Sequence, residues 1–175
     1  MSELIRFESR RVGTIEVPAS DVVTFEPLPG FPNKTRYVLM EHAPDSSLAW
    51  LVSLDDPDLA FVVTSPWAFF PNYDPPIERE HLSILGIERR EDVELLCTVS
   101  ISGKEIFLNL AAPLLINAAN RRGLQAVSED TRYETREPLP ALQPETQAGE
   151  ADASPAGVQD LAVPTAAASA APTAR

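Results

Sequence analysis

Short apolar runs separated by turn-forming residues dominate the first 136 residues of the chain. Several runs alternate apolar and polar positions with the two-residue period of a half-buried β-strand, as in residues 14–17. Residues 59–64 are apolar nearly throughout, which is typical of a strand covered on both faces. The pattern predicts strands at residues 4–7, 14–17, 21–25, 37–40, 48–52, 59–64, 93–101, 105–110, 114–116, 124–128 and 132–135.

The regular spacing of these runs, with turn signals between them, predicts an all-β fold, a small antiparallel β-barrel. Closure into a barrel removes the exposed edges that so many strands would otherwise present. No strand–helix–strand alternation is visible, and we therefore expect no parallel sheet. Residues 77–87 are ambiguous; residues 78–82 favour one short helix, which Gly86 would end.

The composition changes sharply near Glu137. Residues 138–175 are rich in Ala, Pro, Thr and Gln and contain no aromatic residue. Such a segment buries too little apolar surface to offset the entropy lost on ordering. We therefore predict a β-barrel domain at residues 1–136 and a disordered, acidic Ala/Pro-rich tail at residues 137–175.

The net charge of −12 narrows the possible partners. Residues 1–136 hold 21 acidic and 13 basic residues, so the predicted domain is itself acidic by 8 charges. Nucleic acids and anionic membrane surfaces carry the same sign of charge and are therefore disfavoured as partners. The charge would steer a basic protein towards this surface, or it would simply keep the protein soluble.

Motifs for catalysis, metal binding and cofactor binding are absent from the sequence. His42 and His81 have no partner at a metal-ligand spacing, and no P-loop or Gly-x-Ser-x-Gly elbow occurs. We therefore predict no enzyme activity, no metal and no cofactor. Cys97 lies in an apolar run, which favours a buried thiol in a reducing cytosol. No signal-peptide core or membrane-spanning run is visible, which favours a cytoplasmic protein.

Two acidic or basic features have competing interpretations. Paired carboxylates in the cluster formed by Asp55, Asp56 and Asp58 could serve glycoside hydrolysis or calcium binding. An Asp/Pro turn between two strands explains the cluster better, because clear strand patterns flank it. The basic residues occur only as isolated arginine pairs without neighbouring aromatic residues, a pattern that favours solvated turns.

A proline-rich aromatic stretch at residues 66–77 is the most distinctive surface candidate. Its prolines prevent a regular central strand. Exposed aromatic rings beside acids are typical of protein-binding hot spots, but the rings could equally plug one end of the barrel. Pro29 and Gly30 predict a tight turn, after which Phe31 is more often buried than exposed as a contact.

Three blocks of the sequence, in the right order, resemble the FliW family of flagellar assembly factors. Residues 109–125 read NLAAPLLINAANRRGLQ, similar to the family's Asn-Leu-x-Ala-Pro, Ile-Asn, basic residue, Gly and Gln. Residues 23–31 are similar to its Leu-Pro-Gly-Phe turn, and residues 50–63, continued by 66–73, to its central block. The resemblance covers nearly all of residues 4–136 and none of the tail. The sequence departs from the family's habits at Pro27, Pro32, Val52 and Ser65.

The resemblance implies a regulatory protein with a small β-barrel fold, without enzymatic activity or cofactor, acting in the cytoplasm. FliW proteins bind CsrA, a small basic RNA-binding dimer, and relieve its repression of flagellin messenger RNA. They also bind flagellin, which competes for them and so ties flagellin synthesis to export. Direct contact with nucleic acid or membrane is not expected. An export chaperone for flagellin alone remains an alternative, as does a carbohydrate-binding or hydrolase barrel using Asp55, Asp56 and Asp58.

Candidate partner-binding residues combine the acidic surface with the aromatic stretch. They are Phe69, Phe70, Tyr73, Asp74, Phe31 and Asp55. A structural role is favoured for the residues that match the family's motifs, namely Pro29, Gly30, Asn109, Pro113, Asn117, Gly123 and Gln125. We expect Gly123 to serve a turn, and the substitution Tyr73→Ala to weaken partner binding without unfolding the domain.

Overall fold

A computed structural model describes residues 3–130 and 132–139, which form eleven strands and one α-helix. The elements in chain order are β1 (Leu4–Ser9), β2 (Gly13–Pro18), β3 (Val22–Phe25), β4 (Arg36–Glu41), β5 (Leu48–Ser53), β6 (Ala60–Thr64), α1 (Arg79–Leu85), β7 (Val93–Ser102), β8 (Glu105–Leu108), β9 (Leu114–Asn117), β10 (Arg122–Gln125) and β11 (Glu137–Pro138). None of the helices in the described ranges is long and apolar enough to cross a membrane.

Seven strands close into a barrel, which confirms the predicted fold class. The order around the ring is β7-β6-β5-β4-β3-β10-β9, and β9 returns to pair with β7. Six of these neighbouring pairs are antiparallel, whereas β3 and β10 are parallel. The sheet is not a parallel one, as expected, but it contains this one parallel pair, which the sequence did not predict. An odd number of strands cannot alternate in direction all the way around a closed ring, so at least one pair must be parallel.

The barrel interior is filled by the lumen cluster, which consists of Val23, Phe25, Leu28, Tyr37, Leu51, Leu59, Phe61, Val63, Leu96, Leu114 and Ile116. Its members come from six of the seven ring strands and from two positions beside them, Leu28 and Leu59, and none comes from a strand or helix outside the ring. They are nevertheless almost completely buried, which places them inside the barrel. Three aromatic rings pack edge-on or tilted there, with Tyr37 5.5 Å from Phe25 and 6.3 Å from Phe61.

The outward-facing side chains of the same strands form a second, outer cluster. In β6, Ala60 and Val62 belong to this outer cluster, whereas Phe61 and Val63 belong to the lumen cluster. All five residues of β6 are buried, which confirms that this strand is covered on both faces. Cys97 also lies in the outer cluster and is fully buried, and burial raises the pKa of its thiol.

Three segments outside the ring cover the outer cluster. The β1–β2 hairpin forms a separate two-stranded sheet and packs apolar side chains such as Phe7 and Ile15 against the barrel. The backbone N–H of Arg10 donates a 2.8 Å hydrogen bond to the carbonyl oxygen of Pro57, which ties the hairpin to the β5–β6 turn. The aromatic stretch with α1, and the segment 132–139, cover the rest.

The C-terminal boundary differs from the prediction. Residues 132–135 form turns instead of a strand, because Asp130 accepts hydrogen bonds from both the backbone and the guanidinium of Arg132. The strand follows later as β11, which pairs with β8, and the Leu139 N–H then donates to the Ile106 carbonyl oxygen. The folded part therefore continues past residue 136. The predicted disordered tail from residue 140 onward lies outside the described residues.

Two glycines, one predicted in a turn and one predicted to end a helix, have positive φ angles. Gly30 has a φ of 85°, and the Phe31 N–H donates a 2.8 Å hydrogen bond to the Leu28 carbonyl oxygen. This geometry confirms the Pro-Gly turn. Gly86 has a φ of 65° directly after α1, as expected for a residue that ends a helix.

Candidate protein-binding site

A cleft of about 500 Å³ lies on the outside of the barrel. The aromatic stretch forms one wall, α1 with the residues after it forms the other, and the beginning of β7 forms the floor. Apolar side chains make up much of its lining, namely Trp67, Tyr73, Ile77, Leu82, Ile87 and Val93. Charged side chains stand among the remaining lining residues, namely Asp74, Glu88, Arg89 and Arg90. The cleft thus combines an apolar interior with polar groups, as protein and ligand sites commonly do.

The aromatic wall is held by hydrogen bonds from its own rings. The Tyr73 hydroxyl donates a 2.7 Å bond to the carbonyl oxygen of Leu110, and the Trp67 indole N–H donates a 2.9 Å bond to the Tyr73 carbonyl oxygen. The Asp74 N–H donates to the Tyr133 hydroxyl at 2.9 Å, and the Tyr133 ring packs edge-on against Tyr73 at 4.8 Å. These contacts join the stretch to the barrel and to the C-terminal segment.

Tyr73 itself is an internal residue of this wall. Its side chain is only 5% exposed, and burial raises the pKa of its hydroxyl. Tyr73 is therefore not an exposed contact, and because it belongs to the outer cluster it does not plug one end of the barrel either. The expectation that truncating Tyr73 would leave the fold intact is not supported by this position.

The helical wall is held by two asparagines, one at the end of β9 and one three residues later. The side-chain amide of Asn117 donates to the carbonyl oxygens of Leu85 and Gly86 at 3.0 and 3.2 Å. The Asn120 amide donates to the same Leu85 oxygen at 2.9 Å. The last carbonyl groups of a helix have no partner within the helix, so these amides satisfy them and fix the end of α1.

The segment at residues 74–94, which supplies most of the cleft lining, carries more acidic than basic residues. Residues 74–94 carry three arginines and seven acidic residues, which are Asp74, Glu78, Glu80, Glu88, Glu91, Asp92 and Glu94. The guanidinium of Arg89 donates to both carboxylate oxygens of Asp92 at 2.7 and 3.0 Å, and this pairing lowers the pKa of Asp92. Asp74 and Glu88 are exposed and form no ion pair with any described residue.

Comparison with known proteins places the chain in a family. A sequence model described as FliW protein matches residues 6–139. The chain belongs to the FliW family. The flagellar assembly factor FliW of Magnetococcus marinus is 35% identical over 139 residues, which cover 77% of this chain and 85% of that protein. Its counterpart in Syntrophotalea carbinolica is 36% identical over 133 residues, 75% of this chain and 95% of the relative.

A solved structure agrees with the sequence comparisons. A crystal structure of the flagellar assembly factor FliW superposes with a TM-score of 0.72 at 31% sequence identity, covering 77% of this chain and 96% of that one. The resemblance drawn from the three motif blocks is therefore confirmed, together with the β-barrel fold.

The FliW motif residues of the long block lie at positions where they hold the backbone. Asn109 is buried, and its side-chain oxygen accepts a hydrogen bond from the Ala112 N–H at 3.2 Å. The carbonyl oxygen of buried Pro113 accepts from the Ala126 N–H at 2.6 Å. Gln125 ends β10 opposite Leu114 and is half-buried.

We expected from the sequence that Gly123 would serve a turn, but it does not. It lies within β10, paired with Phe25 of β3 in the parallel contact. A Cβ atom added at this glycine would lie 2.7 Å from the Phe25 ring. The glycine therefore leaves room for an aromatic ring in the lumen cluster.

The structure brings together only two of the six predicted partner-binding residues. Tyr73 and Asp74 line the cleft, with Tyr73 inside its wall and Asp74 exposed. Phe69 and Phe70 are half-buried against the outer cluster and do not line the cleft. Phe31 packs edge-on against Phe61 at 5.5 Å at the lumen cluster.

Asp55 lies in a turn away from the cleft lining and acts as an acceptor for the backbone. Its carboxylate accepts hydrogen bonds from the N–H groups of Thr35 and Arg36, both at 2.9 Å, and from the Arg36 guanidinium at 2.8 Å. Desolvation acts to raise the pKa of Asp55, but these hydrogen bonds outweigh it and hold the pKa below its usual value.

The neighbouring carboxylates also form ion pairs. Asp56 pairs with Lys34 at 3.0 Å, and Asp58 pairs with Arg10. In the described ranges no group of three or more His, Cys, Asp or Glu side chains is placed to hold a metal ion. The turn interpretation therefore accounts for the acidic cluster, and nothing in these contacts favours a hydrolase or carbohydrate site.

The helical wall of the cleft escaped the sequence-based prediction. Leu82 and Ile87 both line the cleft, and the Ile87 N–H donates a 2.9 Å bond to the Leu82 carbonyl oxygen across the end of α1. This six-to-one bond is typical of a Schellman motif, in which an apolar residue follows the glycine. In the sequence, the Gly86-Ile87 pair could have indicated this end of the helix and the apolar residue beside it. The Arg89-Arg90 pair, interpreted as a solvated turn, also lies at the cleft.

Proposed function

We propose that this chain binds the translational regulator CsrA, relieves its repression of flagellin messenger RNA, and also binds flagellin. Binding of both proteins would couple flagellin synthesis to flagellar assembly. The observation that carries the proposal is membership of the FliW family over residues 6–139. The proposed role is regulatory and cytoplasmic, without catalysis, cofactor, or direct contact with nucleic acid or membrane.

The charge of the chain supports a basic partner. The net charge is −12, and residues 1–136 alone contribute −8. A field of this sign increases the rate at which a basic regulator meets the surface, and it increases that rate more than the final affinity. Contacts that exclude water must then supply most of the remaining binding energy.

The test is a calorimetric titration of the full chain with purified CsrA, carried out at two salt concentrations. We expect binding at micromolar concentrations or better, with affinity falling as salt rises, because salt screens charge steering and pairing. A parallel titration with flagellin should also show binding, and added flagellin should displace CsrA. Absence of binding to both proteins at micromolar concentrations would refute the proposal.

A pull-down from a flagellated bacterial lysate distinguishes the remaining alternative. Recovery of flagellin and CsrA on the tagged chain supports the proposal. Recovery of flagellin without CsrA, together with no heat in the CsrA titration, would indicate an export chaperone for flagellin alone.

A further inference from the structure

We infer that the cleft outside the barrel is the docking site for the basic partner, and that it takes a partner segment in which an apolar side chain is flanked by Lys or Arg. The inference rests on the proposed function, since it names the surface that CsrA would use. It adds what family membership does not give, which is a location and a chemical requirement on the partner.

The shape of the cleft is fixed before any partner arrives. The hydroxyl of Tyr73 joins the aromatic wall to the segment between β8 and β9, and the amides of Asn117 and Asn120 join the helical wall to the end of β9 and the turn after it. A site whose walls are already in place loses little conformational entropy on binding. Its volume of about 500 Å³ lies within the range that binding clefts usually have.

The interior of the cleft is suited to an apolar side chain. Trp67, Ile77, Leu82 and Ile87 line it, and each is only half-buried in the isolated chain. An apolar partner group would remove the remaining exposed surface of these side chains from water, which is favourable. A large indole ring in a fixed wall is also the kind of residue that often dominates interface energies.

The charges beside the cleft select the flanking residues of the partner. Residues 74–94 carry seven acidic residues and three arginines, whereas residues 95–136 carry four acidic and five basic residues. Residues 1–73 carry ten acidic and five basic residues, so the acidic excess is shared between them and the segment that builds the cleft. Asp74 and Glu88 line it, are exposed, and form no ion pair with a described residue. Their complement is a Lys or Arg on each side of the apolar group.

The arginines refine this requirement. Arg89 is already neutralised by Asp92 through two hydrogen bonds, so it adds little positive charge to the cleft. Arg90 is exposed and forms no ion pair with a described residue. A partner residue facing Arg90 would therefore not be positively charged, and the cleft would discriminate against a segment that is basic throughout.

Two double variants with equal net charge provide the first test. Asp74→Lys with Glu88→Lys reverses both free acids of the cleft. The matched control is Glu41→Lys with Glu105→Lys, which reverses two exposed acids elsewhere that form no ion pair with a described residue. Both double variants make the same change in overall charge, so general steering is weakened equally. We expect the cleft variant to bind CsrA at least about tenfold more weakly than the control variant.

The apolar requirement is tested by a second matched pair. Ile77→Ser removes an apolar group from the cleft, whereas Ile84→Ser removes an isoleucine that is 40% exposed on α1 and does not line the cleft. We expect Ile77→Ser to lower the affinity for CsrA by about fivefold or more, and Ile84→Ser to leave it nearly unchanged. Urea denaturation midpoints of all four variants verify that each remains folded under the binding conditions.

The outcomes separate this inference from the proposed function. If the wild-type chain binds CsrA but both members of each pair behave alike, the cleft is not the docking site and the proposed function stands. If the cleft variants lose flagellin binding and keep CsrA binding, the assignment of the occupant is wrong. If the wild-type chain does not bind CsrA at all, the proposed regulatory function fails and the inference fails with it.

Discussion

Truncation of Tyr73 tests whether the aromatic stretch is part of the folded structure or a free contact surface. The ring lies in the outer cluster, packs against Tyr133 and Trp67, and is 5% exposed. Its hydroxyl donates a hydrogen bond to the buried Leu110 carbonyl oxygen. Tyr73→Ala would therefore create a cavity and remove a buried hydrogen bond at once.

The expected magnitude follows from these two losses. Replacing a buried aromatic side chain by alanine costs about 3–5 kcal/mol in packing. A buried carbonyl oxygen that loses its donor costs a further ~1–3 kcal/mol. The total stability of a domain of this size is about 5–15 kcal/mol, so Tyr73→Ala should remove a large part of it. Tyr73→Phe keeps the ring, and we expect it to cost only the hydrogen-bond contribution, about 1–2 kcal/mol.

Urea denaturation of the full chain, followed by far-ultraviolet circular dichroism, measures both variants. Wild type, Tyr73→Phe and Tyr73→Ala should unfold at progressively lower urea concentrations with similar slopes. A loss below about 1 kcal/mol for Tyr73→Ala would show that the ring is not internal and would refute the reasoning. Binding measured on this variant is interpretable only where the remaining folded fraction is known.

Three further substitutions probe other positions by urea denaturation. Asp55→Asn should destabilise the chain by about 1–3 kcal/mol at pH 7. The folded-state pKa of Asp55 lies below the ordinary value of 3.8, so the stability difference between wild type and variant should shrink as the pH falls below that value. A stability difference at pH 3 equal to that at pH 7 would contradict this reasoning. Gly123→Ala should cost about 1–3 kcal/mol, because the new Cβ would meet the Phe25 ring, and a neutral result would show that the ring moves freely. Asn117→Ala should lower the free energy of unfolding by about 1–2 kcal/mol. It should also weaken CsrA binding, because the helical wall of the cleft loses the hydrogen bond from Asn117 to Leu85. A loss of stability with unchanged affinity for CsrA would show that the position of α1 does not affect binding.

The strands were largely predictable because their signals are local. Alternation and apolar runs depend only on neighbouring residues, and ten of the eleven predicted runs contain an observed strand or overlap one. The exception, residues 132–135, fails because a turn centred on Asp130 and Arg132 holds the backbone. No local pattern reports such a turn as strongly as Pro or Gly would.

The site was less predictable because it depends on contacts between distant residues. Tyr73 and Asp74 were predicted as partner-binding residues and both line the cleft, yet burial of Tyr73 depends on Leu110 and Tyr133, far along the chain. Similarly, the role of Asn117 becomes visible only once β9 lies beside the end of α1. Sequence spacing carries no direct record of such pairings, and it does not distinguish a buried ring from an exposed contact.

The parallel contact between β3 and β10 has a consequence for how the chain can fold during its own synthesis. Thr24 pairs with Arg122, so a β3 that leaves the ribosome early must wait for almost a hundred further residues before its second neighbour exists. Until then the edge of β3 is open to any other extended segment. Nascent chains interrupted before Arg122 would therefore be prone to associate with one another. In a chain completed through β10, that strand pairs with β3 and its edge is no longer exposed.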